Sequence, residues 1–162
     1  MRGHAVVVVG MICLSGCMEG SKPSPLSRNG TGTSPATGVK SLYERIGGEA
    51  VIVKIVDDLV ANVIADEKIK AVHKKHFMEG DVAGLKRKLV DQIGEATGGP
   101  QKYRGKSMKE AHRGLAITDA DFDALAADLV KALDQNKIGE AEKKELVQLF
   151  GSMRRDVVEK SE

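Results

Sequence analysis

The stretch EAVIVKIVDDLVANVI, residues 49–64, decides the fold of this chain. Its many Val and Ile residues favour a β-strand, but sixteen residues are far more than an ordinary strand contains. The polar residues Lys54, Asp57, Asp58 and Asn62 recur at helical intervals instead of at every second position. The stretch therefore predicts an amphipathic helix with one apolar face to bury.

Helical patterns continue on the carboxyl-terminal side of this stretch, and alternating strand patterns joined by tight turns are absent from the sequence. Gly98-Gly99-Pro100 ends one predicted helix, because neither glycine nor proline favours its continuation. Thr118, followed three residues later by Asp121, has the pattern of a helix N-cap. The further predicted helices cover residues 83–97, 107–113, 118–136 and 139–159. Together they predict an all-α domain with short connections.

Length and charge limit the classes of protein to consider. The 162 residues suffice for one domain with a hydrophobic core, and not for two of ordinary size. Lys and Arg number 25 against 23 Asp and Glu, and these charges are interspersed, so no footprint for nucleic acid is predicted. Aromatic residues make up 3% and Trp is absent, so aliphatic side chains would have to enclose any large flat ligand.

The first sixteen residues have the pattern of a signal peptide and are excluded from the fold. An apolar run over 5–14 is too short to cross a membrane, which requires about 20 helical residues. Leu14-Ser15-Gly16-Cys17 resembles the bacterial lipobox, which implies cleavage before Cys17 and diacylation of its thiol. An ordinary secretory peptide with an incidental cysteine is the alternative. With Cys13 removed and Cys17 acylated, no thiol remains for a disulfide, a redox motif or a metal site.

Residues 17–40 are rich in Ser, Gly, Thr and Pro and predict a flexible linker, which the folded domain follows over residues 41–160. These segments together predict an exported protein. Lipidated Cys17 would anchor it to a membrane, with the domain facing the periplasm or cell envelope.

His112 is the candidate metal ligand of the domain. It follows Met108 by one helical turn and precedes Leu115 and Ile117, so it can lie on the face of a short helix that meets an apolar cavity. Neutral imidazole is a good axial ligand for haem iron, and a nearby thioether offers polarizable packing. A purely structural histidine fits the same spacing, so the residues alone leave both roles open.

Several motifs of the domain resemble those of the group I truncated haemoglobins. The opening SLYERIGG over 41–48 is similar to the start of that family, where a glycine pair separates the first two helices. Gly98-Gly99-Pro100 with Tyr103 resembles a second glycine motif, and Met108 with Ala111-His112 resembles the segment that carries the proximal iron ligand. Further matching motifs lie at 114–117, 122–125 and 155–158. The resemblance implies a truncated (two-over-two) globin-like helical sandwich.

The resemblance also implies a non-covalent haem b between the predicted helix over 83–97 and the proximal segment, with His112 on the iron. No Cys-x-x-Cys-His is present for covalent c-type attachment. The predicted haem-binding residues are His112, Met108, Leu85, Lys88, Leu89, Val60, Leu59, Phe122, Tyr103 and Lys106, with Val56 and Leu125 as further apolar candidates. Candidate partners for the haem propionates are Lys102, Arg104, Lys106 and Lys109. Core packing is the alternative role for the apolar residues, and a solvated face is the alternative for the basic ones.

The distal side departs from the family pattern. Val60 stands where the family often has a tyrosine, and Leu89 replaces a glutamine, so the usual hydrogen-bond donors to bound oxygen are missing. Val72 and His73 replace two phenylalanines, and the segment 73–82 is about four residues longer than usual. These changes place tight oxygen binding and nitric-oxide dioxygenation in doubt, while leaving haem binding as the expectation.

Three residues are candidates for a distal role. Lys88 could ligate iron only as a neutral amine, which requires burial; the alternative is an outward lysine that meets a propionate or solvent. His73 and His76 lie on the lengthened segment, where each could fold over the iron or remain an exposed loop histidine.

The predicted function is binding of a diatomic gas, oxygen or nitric oxide, or redox or gas sensing, on a haem that is tethered to the membrane. Two alternatives stay open. One is a haem enzyme that acts on nitric oxide or peroxide, and the other is a haem-free globin-like interaction module. The sequence does not decide whether the chain is an enzyme, and it leaves a reductase partner open.

Overall fold

A computed structural model describes residues 39–159, and within them every regular element is a helix. The helices are α1 (Leu42–Ile46), α2 (Glu49–Ala65), α3 (Ala71–Met78), α4 (Val82–Ala96), α5 (Met108–His112), α6 (Asp119–Gln135), α7 (Glu140–Ser152) and α8 (Arg154–Val157). The all-α prediction is confirmed. The predicted signal peptide, Cys17 and most of the predicted linker lie outside the described residues. Between residues 39 and 159, no helix is both long enough and apolar enough to cross a membrane.

Helix α2, the stretch on which the fold prediction was based, lies at the centre of the core. Its side chains Ile52, Ile55, Val56 and Val63 are almost completely buried and share one face of the helix. Burial of each such side chain contributes about 1.5–3 kcal/mol. Helix α2 packs against α4, and α6 packs against α7, which gives two packed pairs of helices. Contacts between α2 and α6 join the two pairs.

The turn between α1 and α2 forms where the glycine pair predicted it. Gly47 has φ 105° and Gly48 has φ 73°, values that glycine adopts without the steric penalty of a Cβ atom. Ser41 caps α1 through a reciprocal pair of hydrogen bonds with Glu44. The hydroxyl of Tyr43 accepts a hydrogen bond of 3.0 Å from the backbone N–H of Glu49, which ties the two helices together.

The prediction that His73 and His76 lie on a lengthened loop within 73–82 is wrong, because residues 71–78 form helix α3. Its inward residues His73 and Phe77 are one helical turn apart, so His73 is a helical residue and is buried. Lysine and histidine occupy much of this short helix, which weakens the hydrophobic periodicity that revealed the longer helices.

The last predicted helix is interrupted. Helix α7 ends at Ser152, Met153 forms a turn, and α8 begins at Arg154. Gly151 has low helix propensity, and the Ser152 hydroxyl donates to the carbonyl of Leu149 at 2.6 Å, a local bond that competes with the regular helix.

Candidate functional site

Helix α5 presents His112 on a single capped turn. The hydroxyl of Ser107 accepts from the backbone N–H of Glu110, and the Glu110 carboxylate accepts from Ser107 in return. These hydrogen bonds satisfy groups at the amino end of the helix, and those from Ser107 hold the pKa of Glu110 below its ordinary value. The reciprocal cap accounts for a helix at residues 108–112, none of which is fully buried.

The ring of His112 is half-buried, and its Nδ1 lies 2.7 Å from the carbonyl oxygen of Met108. A carbonyl oxygen can only accept, so Nδ1 carries a proton, and in the neutral ring this tautomer leaves the lone pair on Nε2. Among the residues that the structure describes, no protein atom forms a hydrogen bond with Nε2. Metal-ligating histidines commonly donate their other N–H in this way, which fixes the ring orientation and raises the basicity of the ligand. The donor chemistry at His112 therefore fits haem iron.

Helix α4 approaches α5 through Gln92. The Nε2 atom of Gln92 lies 3.1 Å from the sulfur of Met108 and 3.1 Å from the sulfur of Met153. This contact makes α4 and the His112 segment neighbours. Gln92 was not among the predicted site residues, although its position three residues after Leu89 puts both on one side of the helix.

The predicted apolar pocket residues lie in or beside the helical core. Buried among them are Val56, Leu59, Val60 and Phe122, whereas Leu85, Leu89 and Leu125 are partly buried. Phe122 stacks against Phe150 with ring centroids 4.6 Å apart, and the guanidinium of Arg154 lies 4.6 Å from the Phe122 ring centre. Core packing thus occurs at these positions, and a haem contact there stays a prediction.

The segment before α5 is fastened to the carboxyl end of α4 through Glu95. Its carboxylate accepts from the backbone N–H of Tyr103 at 2.9 Å and from Lys102 at 3.2 Å. These hydrogen bonds lower the pKa of Glu95. The hydroxyl of Tyr103 donates to the carbonyl of Lys106 at 2.8 Å, so Tyr103 stabilises the segment itself. Lys106 is exposed beside it, as are Arg104 and Lys109.

The three distal candidates occupy different environments. Lys88 and His76 are exposed, which agrees with the outward alternative for both. His73 is only 9% exposed, so the expectation of an exposed loop histidine is wrong for this residue. Its Nε2 lies 3.0 Å from the carbonyl oxygen of Leu115, and its Nδ1 lies 3.6 Å from a carboxylate oxygen of Asp121.

Asp121 is a buried acid at the amino end of α6. Burial disfavours its ionised form, but the hydrogen bonds from Lys70 and from Thr118 outweigh burial and lower its pKa to about 2. Asp121 is therefore a carboxylate at neutral pH. Together with His73 it lies beside the connection that follows His112.

Comparison with known proteins is consistent with this arrangement. The model of the bacterial-like globin family matches residues 41–159. A group 1 truncated haemoglobin of Tetrahymena pyriformis is 30% identical over 122 residues, which cover 75% of this chain and 97% of that protein. The crystal structure of the Tetrahymena pyriformis truncated haemoglobin in its Fe(III) form matches with a TM-score of 0.68 and 29% identity, over 75% of this chain and all of that one.

A second solved structure is similar. It is the two-over-two haemoglobin of a Synechococcus species, in the cyanomet state and with covalently attached haem. It matches with a TM-score of 0.66 and 31% identity, over 75% of this chain and all of that one.

The helical pairs and the histidine on its short capped helix define a truncated, two-over-two globin. The chain belongs to the bacterial-like globin family and, within it, to the group I truncated haemoglobins. Membership of this family implies binding of haem and of small diatomic ligands in general.

Proposed function

We propose that residues 41–160 bind haem b non-covalently, with Nε2 of His112 on the iron, and that the loaded domain binds oxygen or nitric oxide as a carrier or sensor. The observation that carries this proposal is the 2.7 Å hydrogen bond from Nδ1 of His112 to the Met108 carbonyl. It orients the ring and selects the neutral tautomer whose lone pair is on Nε2, as an iron ligand requires. When bound, the haem supplies an iron with a coordination position for a diatomic gas.

The residues expected on the distal side bear on the choice of gas. Val60, Leu85 and Leu89 carry no hydrogen-bond donor in their side chains. The amide nitrogen of Gln92, on the same side of α4 as Leu89, is directed at the sulfurs of Met108 and Met153. Iron-bound oxygen carries more negative charge than iron-bound nitric oxide, so it gains more from a donor. The lack of donors therefore favours binding of nitric oxide over tight binding of oxygen.

A haem titration followed by absorbance tests the proposal. We expect the wild type to develop a Soret band that saturates at one haem per chain. His112→Ala should lose the axial imidazole, and added imidazole should restore its spectrum. The matched control is His76→Ala, which changes an exposed histidine and should behave like the wild type. A wild type without a Soret band, or a His112→Ala variant with unchanged axial ligation, contradicts the proposal.

The mode of haem attachment needs its own measurement, because the Synechococcus relative holds its haem covalently. The chain has no Cys-x-x-Cys-His, which supports non-covalent binding. Acidified acetone should therefore extract all of the haem from the loaded protein. Haem that remains with the polypeptide would show that it is covalently attached and would contradict non-covalent binding.

We further propose that the chain is exported and held at a membrane by diacylated Cys17. The apolar run and Leu14-Ser15-Gly16-Cys17 support this proposal. The full chain can be expressed in bacteria supplied with labelled palmitate, beside Cys17→Ser and the matched control Cys13→Ser. The label and membrane association should be lost from Cys17→Ser alone. Label on Cys17→Ser, or its absence from all three proteins, contradicts the anchor.

A further inference from the structure

The connection between α5 and α6 has an unfavourable backbone conformation. Gly114 has φ 81°, which suits glycine, but Ala116 has φ 51°, a left-handed value that side chains with a Cβ atom rarely adopt. Residues held in this region cost about 1 kcal/mol or more and persist when surrounding contacts fix them. The connection begins directly after His112, so the contacts that fix it also bear on the position of the His112 ring.

One set of contacts comes from the end of the described chain. The carboxylate of Glu159 accepts hydrogen bonds from the backbone N–H groups of Gly114, at 2.6 Å, and Ala116, at 2.7 Å. The backbone N–H of Glu159 donates to the carbonyl of Ile117 at 3.0 Å. These bonds satisfy the backbone on one side of the connection.

The other contact comes from His73 on α3. Its Nε2 donates to the Leu115 carbonyl at 3.0 Å, since a carbonyl oxygen can only accept. Its Nδ1 faces Asp121 at 3.6 Å, and Asp121 caps α6 through Thr118. His73 therefore joins α3 both to the connection and to the helix that follows it. Both ring nitrogens of His73 face protein groups and only 9% of its surface is exposed, so neither nitrogen is available to an iron ion in this structure.

We propose that His73 is a positioning residue for His112, which it orients through the hydrogen bond to Leu115. This inference rests on the proposed role of His112 as iron ligand. Helix α5 is one turn long, and although it packs against α8 none of its residues is fully buried, so its orientation depends strongly on the anchors at its two ends. Ser107 and Glu110 form the first anchor. The second is the connection after His112, which is held by Glu159 and, through the Leu115 carbonyl, by His73.

The test compares His73→Gln with His73→Asn in the haem-loaded protein. The amide nitrogen of Gln can reach the place of Nε2 and keep the bond to Leu115, whereas the shorter Asn can reach only the place of Nδ1. His76→Asn, on the exposed side of the same helix, is the matched control. The measurements are the iron–imidazole stretching band of the ferrous protein by resonance Raman, and the rate of haem loss to excess apomyoglobin.

We expect His73→Asn to shift or broaden the iron–imidazole band and to speed haem loss about fivefold, the effect of one lost hydrogen bond. His73→Gln and His76→Asn should resemble the wild type. An unchanged band and haem-loss rate in His73→Asn, or equal damage in His73→Gln, overturns the proposal. A six-coordinate wild type that becomes five-coordinate in both His73 variants also overturns it, because His73 would then be an iron ligand.

Two further results keep the inference distinct from the proposed function. If the wild type binds no haem, or if His112→Ala keeps its iron–imidazole band, the proposed function fails and this inference falls with it. If the His73 variants do not fold, NMR of the wild-type protein in its ferrous carbon-monoxide form provides the test. The Nε2 proton of His73 should exchange slowly with solvent, and a rapidly exchanging proton overturns the proposal.

Discussion

Helices α2 and α5 are held in place by different kinds of interaction. Helix α2 buries a face of aliphatic side chains between α4 and α6. Helix α5 packs against α8 but has no fully buried residue, and hydrogen bonds fix both of its ends. Apolar burial depends little on direction, whereas a hydrogen bond specifies both a distance and an angle. The fold is therefore stabilised mainly by α2 and its neighbours, and the orientation of His112 is set by polar groups.

We expect the largest change in the free energy of unfolding from the apolar face of α2. Ile55→Ala removes a side chain that is 1% exposed, and we expect the free energy of unfolding to fall by about 2–5 kcal/mol because a cavity remains. The matched control is Val53→Ala on the same helix, where the side chain is 40% exposed. Urea denaturation measures both. A similar loss in the two variants would contradict the assignment of α2 as the centre of the core.

The polar groups near His112 should have an intermediate effect on the free energy of unfolding, and this effect should depend on pH. The pKa of Asp121 is lowered from 3.8 to about 2 in the folded state, so its carboxylate contributes about 2 kcal/mol of stability above pH ~4. This contribution is lost as the pH falls from about 4 through about 2, because the unfolded chain then binds a proton that the folded carboxylate still excludes. Asp121→Asn should lower stability at pH 6, and its difference from the wild type should shrink towards pH 2.

Urea denaturation between pH 2 and pH 6 measures this difference. Glu67→Gln, at an exposed acid before α3, is the control and should follow the wild type at every pH. A constant difference between Asp121→Asn and the wild type across the whole range would assign the effect to packing instead of charge.

We expect the smallest change in the free energy of unfolding from the backbone after His112, and there the substitution should stabilise the protein. Ala116→Gly removes the steric penalty at φ 51° but adds freedom to the unfolded chain, so we expect a net gain of about 0.5–1 kcal/mol. Ala111→Gly within α5 should instead lose about 1 kcal/mol, because glycine disfavours a helix. Thermal unfolding of the two variants measures the difference in sign. A destabilised Ala116→Gly would show that the surrounding contacts hold this residue without strain.

The sequence predicted the parts of the fold that have a strong periodic signal. Helices α2, α4 and α6 form within one or two residues of their predicted bounds, and the turn at Gly47 and Gly48 forms where the family resemblance implied it. Helix α3 could not be predicted in this way, because its buried side consists of His73 and Phe77 while charged residues occupy much of the rest. Its helical state depends on tertiary contacts, which are its packing against α2 and α4 and the bond of His73 to Leu115.

The same limit applies to the candidate site. The pattern of Ser107 followed by Glu110 predicts a capped helix start, and Met108 four residues before His112 permits the Nδ1 bond. The contact of His73 with Leu115 spans 42 residues, and that of Glu159 with Gly114 spans 45. No local pattern encodes such pairs. Gln92 lay on a predicted helix, but its neighbours Met108 and Met153 come from two other segments.

The hydrogen bonds of Glu159 also set an order of events during biosynthesis. A chain is made from its amino end, and Glu159 is synthesised 45 residues after Gly114, whose N–H it holds. The backbone after His112 therefore lacks these partners until almost the whole domain has emerged. Haem that arrives earlier would meet an unfinished proximal side, so cofactor loading is expected to follow completion of the polypeptide instead of accompanying its synthesis.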